Sequence, residues 1–329
     1  MATATASTKL LLSDFASTVQ DVPSNYIRPI LLSILLVFTV KNRGVSEEMI
    51  NTMLNIARRF FKLPKSERLK SYSDDPSKTT RLSTSFNVKT EKVANWRDFL
   101  RIHCYPHERY VHEWPTNPPS FREDVAEYCT SIRGLVLRLL EAISESLGLQ
   151  RDYMDKSLGK HAQYMALNYY PPCPQPELTY GLPGHTDLNL ITVLKNNKWV
   201  AVNPIPNTFI INIGDQMQVL SNDRYKSVLH RAVVNCNKER ISIPTFYCPS
   251  PDALIGPAKE LIDHNHPAAY TDFTYAEYYE KFWKRGVYIY MHLIINVDNK
   301  SVGDRIDSNP FVIPENLKAR HTILKKNSD

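Results

Sequence analysis

Two stretches decide how this chain reads: GLPGHTDLNLITVL at 181–194 and SVLHRAVVNCNKERISIPTFY at 227–247. Both consist of short β-branched and aromatic runs set off by Gly, Pro or Asn, the pattern of strands separated by turns. The same texture begins near Lys160 and continues through MALNYY (165–170), KWVAV (198–202) and TFIINI (208–213), which predicts an all-β sandwich or barrel for this half. His185 and Asp187 stand two apart after the turn at 181–184, so extended backbone sends both side chains to one face. Alone, such a pair reads equally well as a surface turn. His230 lies in a strand whose alternation puts Val228, His230, Ala232 and Val234 on one side and Leu229, Arg231 and Val233 on the other. An imidazole among small apolar neighbours is either a core histidine bonded to backbone or one arm of a site.

Two imidazoles and one carboxylate form the facial set that leaves positions open on iron(II), which suits a co-substrate and dioxygen together; a Cys or a fourth protein ligand would close the site and favour zinc. Arg240 and Ser242, again two apart, share a strand face. A buried Arg needs an anion, and the fork of its guanidinium matches a carboxylate. The alternative is an Arg at a strand end paired with a nearby Glu. Asn168, Tyr169 and Tyr170 run into Pro171 and Pro172, and a tyrosine hydroxyl there offers one more hydrogen bond to the same anion.

Upstream, Met49, Met53, Ile56 and Phe60 recur at steps of three and four, with Glu47 and Glu48 in the first turn and Pro64 ending the run, so a helix is expected from Ser46. A polar, turn-rich stretch follows to Asn95, then a Pro-punctuated loop to Pro119. Ser120 opens a second predicted helix, with Glu123 completing a capping box, Val125, Tyr128, Ile132, Val136, Leu139, Ile143 and Leu147 on one face, and Gly148 closing it. The first half is therefore expected to be mainly α-helical. Tyr275 to Trp283 reads as helix again, and no pattern is assigned from Gly286 onward.

Of the 329 residues 43% are hydrophobic, enough to bury a substantial core, and the net charge of +6 is spread along the chain rather than gathered into a nucleic-acid-binding patch. Five scattered cysteines without a CxxC pair argue against a disulfide framework and for a reducing interior. MATATASTKL lacks the features of a secretory leader, and the apolar run Ile30 to Val40 is far short of the roughly 20 residues that span a bilayer. A cytoplasmic monomer without nucleic-acid or membrane partners is expected.

NYYPPCPQP (168–176), GHTD (184–187), SVLHRAVVN (227–235) and RISIPTF (240–246), in that order, resemble the plant iron(II)- and 2-oxoglutarate-dependent dioxygenases. SERLKSYSDDPSKTTRLSTSFNVKTEKV (66–93) and VNPIPNTFI (202–210) are most similar to the downy-mildew-resistance type oxygenases, a group with salicylate hydroxylases and relatives of flavone synthase. The resemblance spans roughly 42 to 285. It implies an α+β fold with a double-stranded β-helix, or jelly-roll, core behind a helical N-terminal region. It also implies iron(II) held by His185, Asp187 and His230, and 2-oxoglutarate held by Arg240 and Ser242 with Tyr170 and Asn168 assisting. Phe246 would pack near an aromatic substrate, a small phenolic such as salicylate or a flavanone, hydroxylated or desaturated with dioxygen and with ascorbate as reductant.

Four regions are expected: an atypical, shortened segment at 1–45, a helical region at 46–160, the jelly-roll domain at 161–260, and a C-terminal helix with a divergent tail at 261–329. The chain departs from the family in VPSNYIRPI (22–30), which runs almost directly into LLSILLVFTVKNRGV (31–45), and in the tail from Val287. It departs again between Leu194 and Lys195, where about ten residues, a strand and turn in length, are missing, so the core is expected to lack one strand. A catalytically impaired protein that binds without turnover is thus the alternative reading. A zinc site on Cys104 and His107 in HCYPH (103–107) is a third, with no second ligand pair to support it.

Overall fold

The computed structural model describes residues 38–40, 44–85, 91, 93–187, 206–227 and 230–285. The expectations that fall on Val228 and Leu229, on KWVAV, on the shortened connection at Leu194 and on the tail from Gly286 lie outside them.

Helix α1 (Glu47–Phe61) starts where the sequence indicates, with the Ser46 hydroxyl accepting from the Met49 amide at 3.1 Å. It buries Met53, Ile56, Ala57, Phe60 and Phe61. After the short helix α2 (Lys65–Arg68) come β2 (Thr80–Thr84) and β3 (Asp98–Tyr105), β1 (Phe38–Val40) having preceded α1. Helix predominates in the first half, as expected, but these two strands correct the reading of their own stretches as turn and loop. Leu100, Ile102 and Cys104 do alternate inward along β3, but Arg97, Arg101 and His103 on its other face disguise the period.

A single-turn helix α3 (His107–Tyr110) leads to the long helix α4 (Phe121–Ser146). Ser120 makes no side-chain cap bond, so the predicted capping box does not form: with ψ at 8° its backbone leaves the extended region that aims a cap hydroxyl at the first-turn amides. The far end of α4 follows expectation. Gly148, at φ 74°, sends its amide to the Glu145 carbonyl, and the Leu149 amide reaches the Ser144 carbonyl, together a Schellman closure.

Helix α5 (Tyr153–Ser157) then gives way to β4 (Ala162–Tyr170), the centre of the main sheet. On one side β4 pairs antiparallel with β3, which pairs with β2. On its other side β8 (Arg240–Ser242) and β9 (Thr245–Cys248) lie end to end. The registers fix which side chains share a face. Leu82, Leu100, Ile102, Met165 and Leu167 pack under α1 and α4 in one core cluster. The opposite face carries Arg81 across from Arg101, His103 beside Tyr164, Phe99 beside Asn168, then Asn168 across from Ser242 and Tyr164 across from Phe246.

That second face floors a cavity of about 430 Å³, which is also lined by Leu182 and His185 of β5 (Leu182–His185), the strand that pairs with β7 (His230–Ala232). β6 (Phe209–Ile211) pairs with β1, α6 (Asp215–Leu220) follows it, and β10 (Leu254–Ile255) pairs with β11 (Phe273–Thr274). Helix α7 (Tyr275–Arg285) extends the predicted C-terminal helix by two residues and closes one side of the cavity with Tyr275, Tyr279 and Phe282. The α+β class is as expected.

Gly181 allows this closure. A Cβ built there would lie 2.5 Å from the buried Tyr170 ring and 3.2 Å from Val234, both well packed. Gly181→Ala is therefore expected to destabilise the fold by roughly 1–3 kcal/mol, read as a lowered urea midpoint with an unchanged m-value.

Candidate functional site

The strand pair β5–β7 starts in register at Leu182 opposite Ala232 and ends at His185 opposite His230, three residues on one strand against two on the other. One residue of β5 is thus extra, a bulge that contains Pro183 and Gly184 and turns His185 toward His230. The two imidazole centroids come to 3.9 Å at an interplanar angle of 51°. Asp187, in the coil just after β5, brings Oδ1 to 3.7 Å from His185 Nε2. That is too long for a hydrogen bond and short enough for one ion bonded to both at about 2.1 Å. One ligand atom from each of the three residues lies within 4.8 Å of the other two.

The donor set fits a divalent transition metal in a further respect. His185 Nδ1 is 2.7 Å from the Pro183 carbonyl, which can only accept, so Nδ1 carries the proton and the Nε2 lone pair is left for a metal. Burial lowers the His185 pKa against the pull of Asp187, which keeps the ring neutral as ligation requires. Cys104, by contrast, lies on the core face of β3 with its thiol on the Ile102 carbonyl, and among the described residues it joins no metal-binding trio with His107.

Asp215, at the start of α6, is a neighbour that the sequence did not single out. Its amide donates to the Asp187 carbonyl at 3.0 Å, and its carboxylate accepts from Thr186 Oγ1, Ser227 Oγ and Tyr278 OH. Burial pushes this carboxyl up to about 6, three hydroxyl donors oppose the shift, and the charge of Asp187 adds to it. GDQMQVL at 214–220 shows only a helix start; folding alone brings it against the H-x-D segment.

The residues expected to hold the co-substrate converge on the same sheet face. Asn168 Nδ2 donates to Ser242 Oγ at 3.1 Å, and Tyr170 stands across from Arg240. Asn168 Oδ1 accepts from Arg97, a buried arginine absent from the sequence reading. The expectation of a buried Arg240 is corrected. It is exposed, at the first position of a three-residue strand, with its guanidinium 5.0 Å from the Tyr170 ring centroid. Phe246 stacks on Tyr164 at 4.9 Å and lines the cavity together with His185 and Asp187.

A His/Asp/His cluster beside such a face is paired with two matching family models. The 2OG-Fe(II) oxygenase superfamily matches residues 161–249, and the N-terminal region of non-haem dioxygenases in morphine synthesis matches 37–117. Protein DMR6-LIKE OXYGENASE 2 of Arabidopsis thaliana is 58% identical over an alignment that covers 84% of this chain and 94% of the relative.

The chain belongs to the 2OG-Fe(II) oxygenases.

Flavanone 3-dioxygenase 2 of Oryza sativa subsp. japonica is 54% identical, covering 76% of this chain and 77% of its own. A crystal structure of JOX2 with 2OG, Fe and JA superposes with a TM-score of 0.76 at 31% identity, over 83% of this chain and 93% of that one. The protein is accordingly an oxidoreductase with the jelly-roll core of this superfamily, and it uses iron(II) and 2-oxoglutarate. Among the described residues no helix is long and apolar enough to cross a membrane.

His103, on the cavity floor, has its pKa lowered to about 4 by burial and by the Arg101 charge. The unfolded chain binds this proton near pH 6.5 and the folded one only near 4, so stability is complete above about 6.5 and falls as pH drops toward 4. Urea midpoints measured across that window should decline with pH, and His103→Gln should flatten the decline.

Proposed function

We propose that the chain hydroxylates or desaturates a small phenolic, with His185, Asp187 and His230 holding iron(II) and Arg240, Ser242, Tyr170 and Asn168 holding 2-oxoglutarate. The observation that carries this reading is the cluster of two imidazoles and a carboxylate, of which His185 and Asp187 line a cavity of about 430 Å³ with aromatic walls. Cytoplasmic action as a monomer completes the proposal, and elution from a sizing column at the mass of one chain tests the last part.

Bound iron(II) with 2-oxoglutarate and dioxygen supplies the oxidising power, consuming the keto acid to succinate and carbon dioxide. The remaining work belongs to side chains. His185 Nδ1 keeps its proton and donates it in a hydrogen bond to the Pro183 carbonyl, which fixes the ring's orientation. Ser242, pinned by Asn168, offers its hydroxyl proton to a carboxylate at the end of the site where Arg240 supplies charge. Phe246 and Tyr164 present a stacked pair against which an aromatic ring lies flat. Tyr275, Tyr279 and Phe282 cover the cavity from α7 and exclude water from the ring during oxidation.

The name of the rice relative, flavanone 3-dioxygenase, and that of the DMR6-like relative support a phenolic from plant specialised metabolism or defence. Anaerobic addition of iron(II) and 2-oxoglutarate should produce a visible charge-transfer band that His185→Ala abolishes, and phenolics should then drive succinate release with a product of altered mass. Absence of both the band and the succinate would refute the assignment. Arg240→Gln is expected to raise the half-saturating 2-oxoglutarate concentration about tenfold, since one charge-assisted pair is lost.

A further inference from the structure

The strand proposed to hold 2-oxoglutarate is short and fastened mainly from one direction. Among the described residues β8 pairs with β4 alone, through three residue pairs. Alternation divides these residues between two faces. Arg240 and Ser242 stand opposite Tyr170 and Asn168, while Ile241, opposite Tyr169, and Ile243 pack into the core cluster beneath α1. Glu239, one residue before the strand, continues the α1 face. Its carboxylate accepts from Arg58 Nε at 3.1 Å and from the Tyr169 hydroxyl at 3.0 Å, and Lys62 Nζ lies 3.6 Å away. Phe61 of α1 stacks on the Tyr169 ring, with centroids 5.2 Å apart at an interplanar angle of 17°.

An isolated surface ion pair does little for stability. This carboxylate does something else, because it joins three elements: Arg58 and Lys62 belong to α1, Tyr169 to β4, and Glu239 to the chain entering β8. Burial raises the Glu239 carboxyl, but the hydrogen bonds from Tyr169 and Arg58 and the charge of Lys62 outweigh it and hold the group below its ordinary value, so it stays ionised. The consequence falls on the next residue. A carboxylate adjacent in sequence to an exposed arginine is a ready competitor for any anion that arginine is meant to bind. Yet among the described residues no carboxylate comes within 4.0 Å of the Arg240 guanidinium, which rests over Tyr170 on the opposite face.

We infer that Glu239 is a positioning residue for co-substrate binding: gripped by Arg58, Lys62 and Tyr169, it fixes β8 so that Arg240 and Ser242 face the other way, and the grip keeps Glu239 itself from pairing with Arg240. The inference rests on the 2-oxoglutarate role proposed above for Arg240 and deepens it. A guanidinium follows the backbone that carries it, and a displacement of about 1 Å is enough to spoil a directional charge-assisted pair. Helix α1, which supplies none of the proposed iron or co-substrate contacts, thereby sets how readily Arg240 meets an incoming dicarboxylate.

Equilibrium binding tests this without turnover. The full chain with iron(II) is titrated anaerobically with 2-oxoglutarate, the charge-transfer band giving the half-saturating concentration, and iron(II) affinity is measured separately. Glu239→Ala should raise half-saturation about threefold and leave iron(II) affinity unchanged. Arg58→Gln combined with Lys62→Gln keeps the carboxylate but releases it toward Arg240, so the rise should be larger, about tenfold; adding Glu239→Ala to that pair should bring it back to about threefold. In an Arg240→Gln background Glu239→Ala should have no further effect, whereas a merely structural loss would weaken binding by the same factor in both backgrounds. Circular dichroism confirms that the variants fold. Unchanged half-saturation in Glu239→Ala, an undiminished effect of Glu239→Ala in the Arg240→Gln background, or a release of the carboxylate no more harmful than its deletion would each overturn the inference. Arg240→Gln without effect on 2-oxoglutarate would instead remove the assignment of Arg240, so the two fail separately.

Discussion

The ladder between β5 and β7 carries one extra residue on its first strand, and without that residue Gly184 rather than His185 would stand opposite His230. Side chains alternate with a period of two, so a one-residue change in register moves every following group to the other face of a strand. The bulge therefore decides whether two imidazoles meet or point apart. It also places the Pro183 carbonyl where it fixes the tautomer of His185. Geometry and protonation state of the candidate metal site thus share one cause, and Pro183 fits it because an irregular position asks less of the ladder than a regular one.

The main sheet converts the same alternation into a division of labour. Leu100, Ile102, Met165 and Leu167 face α1 and α4 and supply the burial that stabilises the fold. The residues between them, Phe99, Arg101, His103, Tyr164 and Ala166, line the cavity. Asn168 ties two strands together on that face, donating to Ser242 and accepting from Arg97. A polar side chain satisfied from both directions cannot rotate freely, which makes it a fixed point on the sheet.

Much of this was legible in the residues themselves. The strand texture after Lys160, the spacing of His185, Asp187 and His230, the shared face of Arg240 and Ser242, and the start of α1 all depend on periods of two or 3.6 that a sequence displays directly. What escaped did so for physical reasons. β3 hid because the chamber face of a strand can be as polar as a loop, here Arg97, Arg101 and His103. Asp215 hid because its partners, Thr186, Ser227 and Tyr278, are distant in the chain and adjacent only when folded. Ser120 was overread, since a capping motif specifies side-chain types but not the backbone angle that lets them meet. Arg240 was placed inside because a guanidinium two residues from Ser242 shares its face, whereas its depth depends on what lies above a short edge strand.

The bond from Tyr278 to Asp215 makes α7 more than a cover. One flank of the helix is anchored, through Asp215, to the backbone of Asp187, while Tyr279 and Phe282 look into the chamber. Anchor and lining therefore occupy separate positions in the same eleven residues. Evolution can exchange the lining residues to admit a different ring while the anchor holds the carboxylate arm in place. A lineage of such enzymes is free to diversify in what it oxidises without relearning how to bind its metal.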